Sequence, residues 1–188
     1  MMAERQAEQM TSGTITEWNA EALRTLVRDI PDFPQPGIIF RDITPLLAHA
    51  AAFRAAIDAM AAPFQDISIV VAIESRGFIL GAPVAYKLGA GLVPVRKVGR
   101  LPSATIREEY ALEYGVNTVE MHSDAVKPGE RVLIVDDLLA TGGTVRAAIN
   151  LVERLGATVV GVSVLAELAF LHGRERLKGY HLSSLIVY

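Results

Sequence analysis

The chain has 188 residues, 51% hydrophobic and 21% charged, enough for one globular domain with a real core, and its net charge of −3 offers no electrostatic case for nucleic-acid binding. Cysteine is absent, which excludes a disulfide framework and a thiolate site. No apolar run approaches the ~18 residues that a membrane span needs, and the polar N-terminus lacks the apolar centre of a signal peptide, so no membrane is expected and the cytoplasm is the expected location.

Residues 1–15 read as a frayed tail and 16–188 as a single domain. Trp18, Ala22, Leu23, Leu26, Val27 and Ile30 recur at helical spacing, and Pro31 ends that helix. Asp32 to Gly37 is too rich in proline for regular structure, and Ile38 to Ile43 reads as extended. Thr44-Pro45 starts a helix, Thr44 as its cap, and Phe53, Ile57, Met60 and Phe64 supply the buried stripe of the next. Ile67 to Ile73 is an apolar strand that runs into Glu74-Ser75-Arg76-Gly77 and a helix through Leu88. Gly91 to Val95 is a short strand, followed by Arg96-Lys97-Val98-Gly99-Arg100. Residues 105–121 alternate as an antiparallel pair around Gly115. After the central segment come a strand at Ala157 to Leu165, a weaker helix near Phe170 to Leu177 and a strand at Leu182 to Tyr188. Strands alternating with helices predict an α/β fold with a mainly parallel twisted sheet, its sites at the carboxyl ends of the strands.

The central segment carries the chemistry. Val132 to Val135 is a short, β-branched apolar run, the pattern of a buried parallel strand. Ala140-Thr141-Gly142-Gly143-Thr144 is a small, glycine-rich turn, and Val145, Ala148, Ile149, Val152 and Leu155 then recur at helical spacing until Gly156. A glycine-rich turn entering a helix N-terminus is an anion site, because free N–H groups and the positive end of the helix dipole converge there. Asp136 and Asp137, just before it, would repel a phosphate and suit hydroxyls or a cation. A phosphate at one end and a diol in the middle describe a ribose 5-phosphate. No lysine follows the glycines, so the P-loop pattern fails, and the dinucleotide G-x-G-x-x-G pattern is absent.

The run Val132 to Thr144 closely resembles the phosphoribosyl-pyrophosphate (PRPP) signature of the type I phosphoribosyltransferases. Asp32 to Pro45, Glu74 to Phe78, Arg96 to Pro102 and Leu112-Glu113-Tyr114-Gly115 narrow the resemblance to the adenine phosphoribosyltransferase family, over roughly residues 20–188. One departure is Arg100, where a lysine is common in the family; charge is kept and geometry changes. The resemblance implies the type I phosphoribosyltransferase fold, with a small N-terminal hood over about 16–45 and a flap over about 96–121. It implies transfer of ribose 5-phosphate from PRPP to adenine, giving AMP and pyrophosphate, by a homodimer. By position, Ala140, Thr141, Gly142, Gly143 and Thr144 hold the 5-phosphate and Asp136 and Asp137 meet the ribose hydroxyls. Glu74, Ser75 and Arg76, with Arg96, Lys97 and Arg100, serve the pyrophosphate. Phe40 and Leu138 sandwich the base, Ile39 reads its edge through the backbone, and Arg41 completes the adenine-binding set. Glu113 is the acid/base group, with Tyr114 next to it, and Tyr114 and Arg76 complete the catalytic set. Mg²⁺ is the expected cofactor, held mainly by PRPP and water rather than by protein ligands.

Taken alone, several of these residues have plainer readings. Arg96, Lys97 and Arg100 fit a solvated cationic loop, Glu113 an ordinary strand carboxylate, Phe40 a core position, and Arg41-Asp42 a local ion pair. The histidines show no metal-binding spacing. Two other functions share the signature: a phosphoribosyltransferase for another nucleobase, and a PRPP-sensing regulator of DNA binding. The first is disfavoured by the Ile39-Phe40 and Leu112 to Gly115 stretches, the second by the net charge.

Overall fold

The computed structural model describes residues 18–112 and 115–188, so the expected tail at 1–15 and the flap residues Glu113 and Tyr114 lie outside it. The chain divides into two units, Met1–Phe53 and Arg54–Tyr188.

In the first unit, helix α1 (Ala20–Arg24) starts at Asn19, whose side-chain oxygen accepts the Ala22 N–H at 2.9 Å. The helix expected to reach Ile30 stops much earlier. The Thr25 hydroxyl turns back onto the Ala22 carbonyl, and Arg28–Ile30 forms strand β1, antiparallel to β2 (Phe40–Asp42). Ladder pairing overrides a helical spacing that is too short to hold a helix by itself. Between the strands, the Asp32 carboxylate takes the Gly37 N–H at 2.8 Å and closes the proline-rich loop. Helix α2 (Thr44–Ala48) begins one residue earlier than a Thr44 cap requires. Thr44 is already helical, and the Asp42 carboxylate accepts its N–H at 2.9 Å. Helix α3 (Ala50–Ala61) follows at once.

The second unit is built on a seven-stranded sheet in the order β5-β6-β4-β3-β7-β8-β9. Its strands are β3 (Ile69–Ile73), β4 (Gly91–Lys97), β5 (Thr105–Leu112), β6 (Gly115–His122), β7 (Arg131–Leu139), β8 (Thr158–Glu167) and β9 (Leu182–Val187). From β4 through β3, β7 and β8 to β9 every neighbour is parallel, while the β5–β6 hairpin joins β4 antiparallel. The α/β expectation is therefore borne out, with the antiparallel pair closing at Leu112 and Gly115 as the alternation predicts. Strand β7 lies inside the sheet and Val132 to Val135 are wholly buried. Helices α4 (Arg76–Leu88) and α5 (Gly143–Arg154) follow β3 and β7. Val145, Ala148, Ile149 and Val152 of α5 are buried as their spacing requires. Each large aliphatic side chain so buried stabilises the fold by roughly 1.5–3 kcal/mol. The weak helix expected near Phe170 to Leu177 is two 3₁₀ turns, Ala169–Leu171 and Gly173–Leu177. His172 between them has a left-handed φ of 54°, which ends any continuous helix there.

Candidate active site

The sheet register assembles the site. Ala72 of β3 lies beside Val135 of β7, and Ile73 beside Val95 of β4. The three strands therefore deliver Glu74, Asp136-Asp137 and Arg96-Lys97 to one end of the sheet. There they line a cavity of about 320 Å³, together with Ser75, Arg76 and Thr144. Tyr110 of β5 also lines it, a residue that alternation alone did not single out.

Strand β7 continues through both carboxylates to Leu139, so Asp136 and Asp137 stand on the strand and not on the following loop. They are only 8% and 7% exposed. The Asp136 carboxylate accepts the Asp137 N–H at 2.8 Å, and the Arg76 guanidinium donates to the Asp137 carboxylate at 2.6 Å. Burial pushes the Asp136 carboxyl well above its ordinary range, and the neighbouring charge of Asp137 pushes it further. Gly77 makes room for this pair: a Cβ there would lie 3.0 Å from Asp136 Oδ1 and 3.1 Å from the Val135 carbonyl oxygen.

The cations are organised by a carboxylate. Glu74 accepts Arg96 Nη2 on one oxygen at 3.0 Å and the Lys97 N–H on the other at 3.0 Å. The Arg96 bond holds the Glu74 carboxyl below its usual range in spite of burial, assisted by the Lys97 N–H and the charges of Arg96 and Arg100. Arg96 Nη1 also donates to the Arg100 carbonyl at 2.9 Å. Arg100 itself is exposed and does not line the cavity.

Leu138 near the end of β7 and Ala140 just beyond it are half-buried, and Thr141 begins the turn. Gly142 is the N-cap of α5 at φ +80°, a conformation that disfavours a side chain. The first N–H groups of a helix have no partner within it, which is what makes a helix N-terminus an anion site. A Cβ on Gly142 would also lie 2.6 Å from the Gly173 carbonyl oxygen. Gly173 in turn approaches the loop so closely that its own Cβ would stand 2.1 Å from the Ala140 carbonyl oxygen. The segment carrying Gly173 is held by Arg174, which donates to both Glu167 oxygens at 3.0 and 2.5 Å. Sequence reasoning missed Gly173, Arg174 and Glu167, because nothing local distinguishes them from an ordinary turn.

Ile39, Phe40 and Arg41 belong to the first unit. Ile39 is half exposed, the Phe40 ring meets Phe33 edge-on at 5.2 Å, and Arg41 pairs with Asp29 across the β1–β2 ladder. Among the described residues, no group of three or more His, Asp or Glu is placed to hold a metal ion.

Residues 42–183 match the model of the phosphoribosyl transferase domain family, and the chain belongs to that family. Within it, the relatives are adenine phosphoribosyltransferases. That of Thermobifida fusca is 63% identical over 161 residues, covering 85% of this chain and 92% of the relative. The crystal structure of the Thermoanaerobacter pseudethanolicus enzyme is 51% identical and superposes with a TM-score of 0.87, over 90% of this chain and 100% of that one. The Saccharomyces cerevisiae enzyme, solved with an imino-altritol bisphosphate and adenine, is 39% identical with a TM-score of 0.84, over 89% of this chain and 98% of that one.

Proposed function

We propose that the protein salvages adenine, transferring ribose 5-phosphate from PRPP to the base with release of pyrophosphate and formation of AMP. The observation that carries this reading is the order of groups along the cavity: Arg96 and Lys97 at the end of β4, Arg76 after β3 and paired with Asp137, and Asp136 and Asp137 on β7 just before the N-terminus of α5. PRPP has the matching order: a pyrophosphate, a ribose diol and a 5-phosphate.

In this reading the Ala140 to Thr144 turn takes the 5-phosphate and the two aspartates take the hydroxyls. Arg76, Arg96, Lys97 and Arg100 receive the pyrophosphate, with Ser75 beside them and Glu74 fixing Arg96 and Lys97. Phe40 and Leu138 enclose the base and Ile39 reads its edge; Arg41 supports that stretch. As the C1–pyrophosphate bond breaks, positive charge develops on the sugar while the cations stabilise the leaving group. A purine nitrogen forms the new bond to C1, and Glu113 accepts the proton it loses, with Tyr114 alongside. Proton transfer of this kind contributes typically ~10²–10⁴-fold. Holding both substrates in line supplies much of the remainder.

Mg²⁺ fits the donor set as a substrate-borne ion: the cavity offers the oxygens of Asp136 and Asp137 and no closed cage of ligands. When bound it would neutralise polyphosphate charge. The hood at about 16–45 and the flap at about 96–121 are parts of one domain over 16–188 in this proposal. A cytoplasmic homodimer completes it. Support for the dimer comes from Tyr86, 90% exposed, and Ile79, 46% exposed, two turns apart on one face of α4.

Product formation from PRPP and Mg²⁺ with each common base tests the assignment. The Ile39 main chain offers one fixed acceptor and one fixed donor, which match the amino group and bare N1 of adenine and mismatch hypoxanthine at both positions. Adenine should therefore exceed hypoxanthine by at least ~10³ in kcat/KM. Comparable values for the two bases would refute it. Sedimentation showing a fully active monomer would remove the dimer.

A further inference from the structure

Glu120 is an acidic side chain only 1% exposed, on β6, outside the cavity and unused by the reaction described above. Its Oε1 accepts three successive backbone N–H groups: Gly99 at 2.8 Å, Arg100 at 3.0 Å and Leu101 at 3.1 Å. Its Oε2 takes the Thr105 hydroxyl at 3.2 Å and faces Arg107 Nε at 3.4 Å. Three consecutive N–H groups converge on one oxygen only if the backbone curls around it, and Gly99 permits this with a φ of +82°. The register places Glu120 opposite Arg96 of β4 on one side and Arg107 of β5 on the other. It therefore sits on the strand that separates the two strands bracketing the cationic turn.

The turn itself is exposed at Val98, Gly99 and Arg100, while its three N–H bonds to Glu120 are partly buried. Burying a carboxylate is costly unless donors surround it. Burial pushes the Glu120 carboxyl up, but the N–H groups of Leu101 and Arg100, the Thr105 hydroxyl and the Gly99 N–H outweigh it and hold it below the usual range. The Arg100 peptide is anchored twice, by its N–H to Glu120 and by its carbonyl to Arg96 Nη1. What remains free to vary is the Arg100 side chain.

We propose that Glu120 is the positioning residue of the pyrophosphate turn, curling Gly99 to Leu101 so that Arg96, Lys97 and Arg100 are presented to the leaving group as one unit. This rests on the reading of that segment as the pyrophosphate site. Glu120 touches no substrate; it acts through the backbone of the turn.

The test uses the full chain with Glu120→Leu and Glu120→Gln, titrated calorimetrically with Mg-pyrophosphate and, separately, with AMP, whose phosphate needs the Ala140 to Thr144 turn instead. Glu120→Leu should weaken pyrophosphate binding on the order of tenfold or more, as loss of charge-assisted hydrogen bonds does, while AMP affinity stays within about twofold. Glu120→Gln keeps one acceptor oxygen and should recover most of the loss. Unchanged pyrophosphate affinity in Glu120→Leu, or an equal loss of AMP, would overturn the proposal. If Glu120→Leu does not fold, amide exchange in the unmodified chain decides. Gly99, Arg100 and Leu101 should be protected despite their exposed turn, and Thr105→Val should hasten their exchange; exchange at the unprotected rate would sink the idea. Failure of the unmodified protein to bind pyrophosphate at all would instead count against the site reading, and the exchange measurement still tests the anchor.

Discussion

Gly173→Ala is a one-methyl change at a residue that contacts no substrate in the proposed reaction, and the structure allows its effect to be worked out. The added Cβ would lie 2.1 Å from the Ala140 carbonyl oxygen. An ordinary carbon–oxygen contact needs about 3.3 Å, so one of the two backbones must move by about 1.2 Å. The Gly173 side is restrained by the Arg174–Glu167 pair, and Ala140 leads directly into the proposed 5-phosphate turn. A shift of about 1 Å in a positioning element costs on the order of 10²-fold in rate, or about 2.7 kcal/mol of activation free energy. Overpacking itself destabilises by roughly 1–3 kcal/mol, which for a chain of this size lowers Tm by roughly 2–12 °C. The assay is kcat/KM for PRPP with adenine saturating, beside calorimetric titration with AMP and with pyrophosphate. Catalysis and AMP binding should fall together and pyrophosphate binding should hold. A variant with lowered Tm but unchanged kcat/KM and AMP affinity would refute the reasoning, because the contact would then be packing alone.

Asp136→Asn should lower kcat/KM roughly tenfold or more while raising Tm at neutral pH. The raised folded-state pKa of Asp136 means the folded chain binds more protons than the unfolded one, so stability drains away as pH rises from the ordinary value of 3.8 through the folded value. The asparagine escapes that loss; a Tm gap that fails to narrow toward acid pH would contradict it. Gly142→Val should abolish PRPP binding, since a side chain there meets both a positive φ and the Gly173 carbonyl, and normal binding would reject the turn as the phosphate site. Glu113→Gln should lower kcat more than it raises KM for adenine; a change in KM alone would make it a binding residue. Phe40→Ala should weaken every base similarly, and a loss confined to adenine would mean the ring chooses rather than stacks.

The parallel sheet, the hairpin and the strand–turn–helix around Gly142 were legible because their signals are local: β-branched runs, alternation and a glycine-rich turn. The pairing of Arg28–Ile30 with Phe40–Asp42 was not, because Leu26, Val27 and Ile30 obey a helical spacing and only a distant strand decides otherwise. The site divides in the same way. Asp136, Asp137, Arg76 and Arg96 stand close to their neighbours in the motif and were found as motif members. Gly173 and Glu120 act on segments 31 to 33 and 19 to 21 positions away in sequence, numbers visible only once the chain is folded. Glu74 lines the cavity, and its bonds to Arg96 and Lys97 show why an acidic residue stands among cations.

The Arg76–Asp137 ion pair gives the cavity a kind of double latch. In the proposed reaction the guanidinium is meant for the leaving group and the carboxylate for the sugar, yet in this structure each engages the other at 2.6 Å. A ligand bearing only one of those features competes for one member of the pair and offers nothing to the other, an unfavourable exchange where Asp137 is buried. A ligand bearing both replaces one internal pair with two external ones. Free pyrophosphate and ribose 5-phosphate should therefore each bind less well than their shares of PRPP would suggest, and Arg76→Lys, which cannot hold the same geometry, should narrow that gap. Discrimination against half-substrates would then be set by the Arg76–Asp137 pair itself.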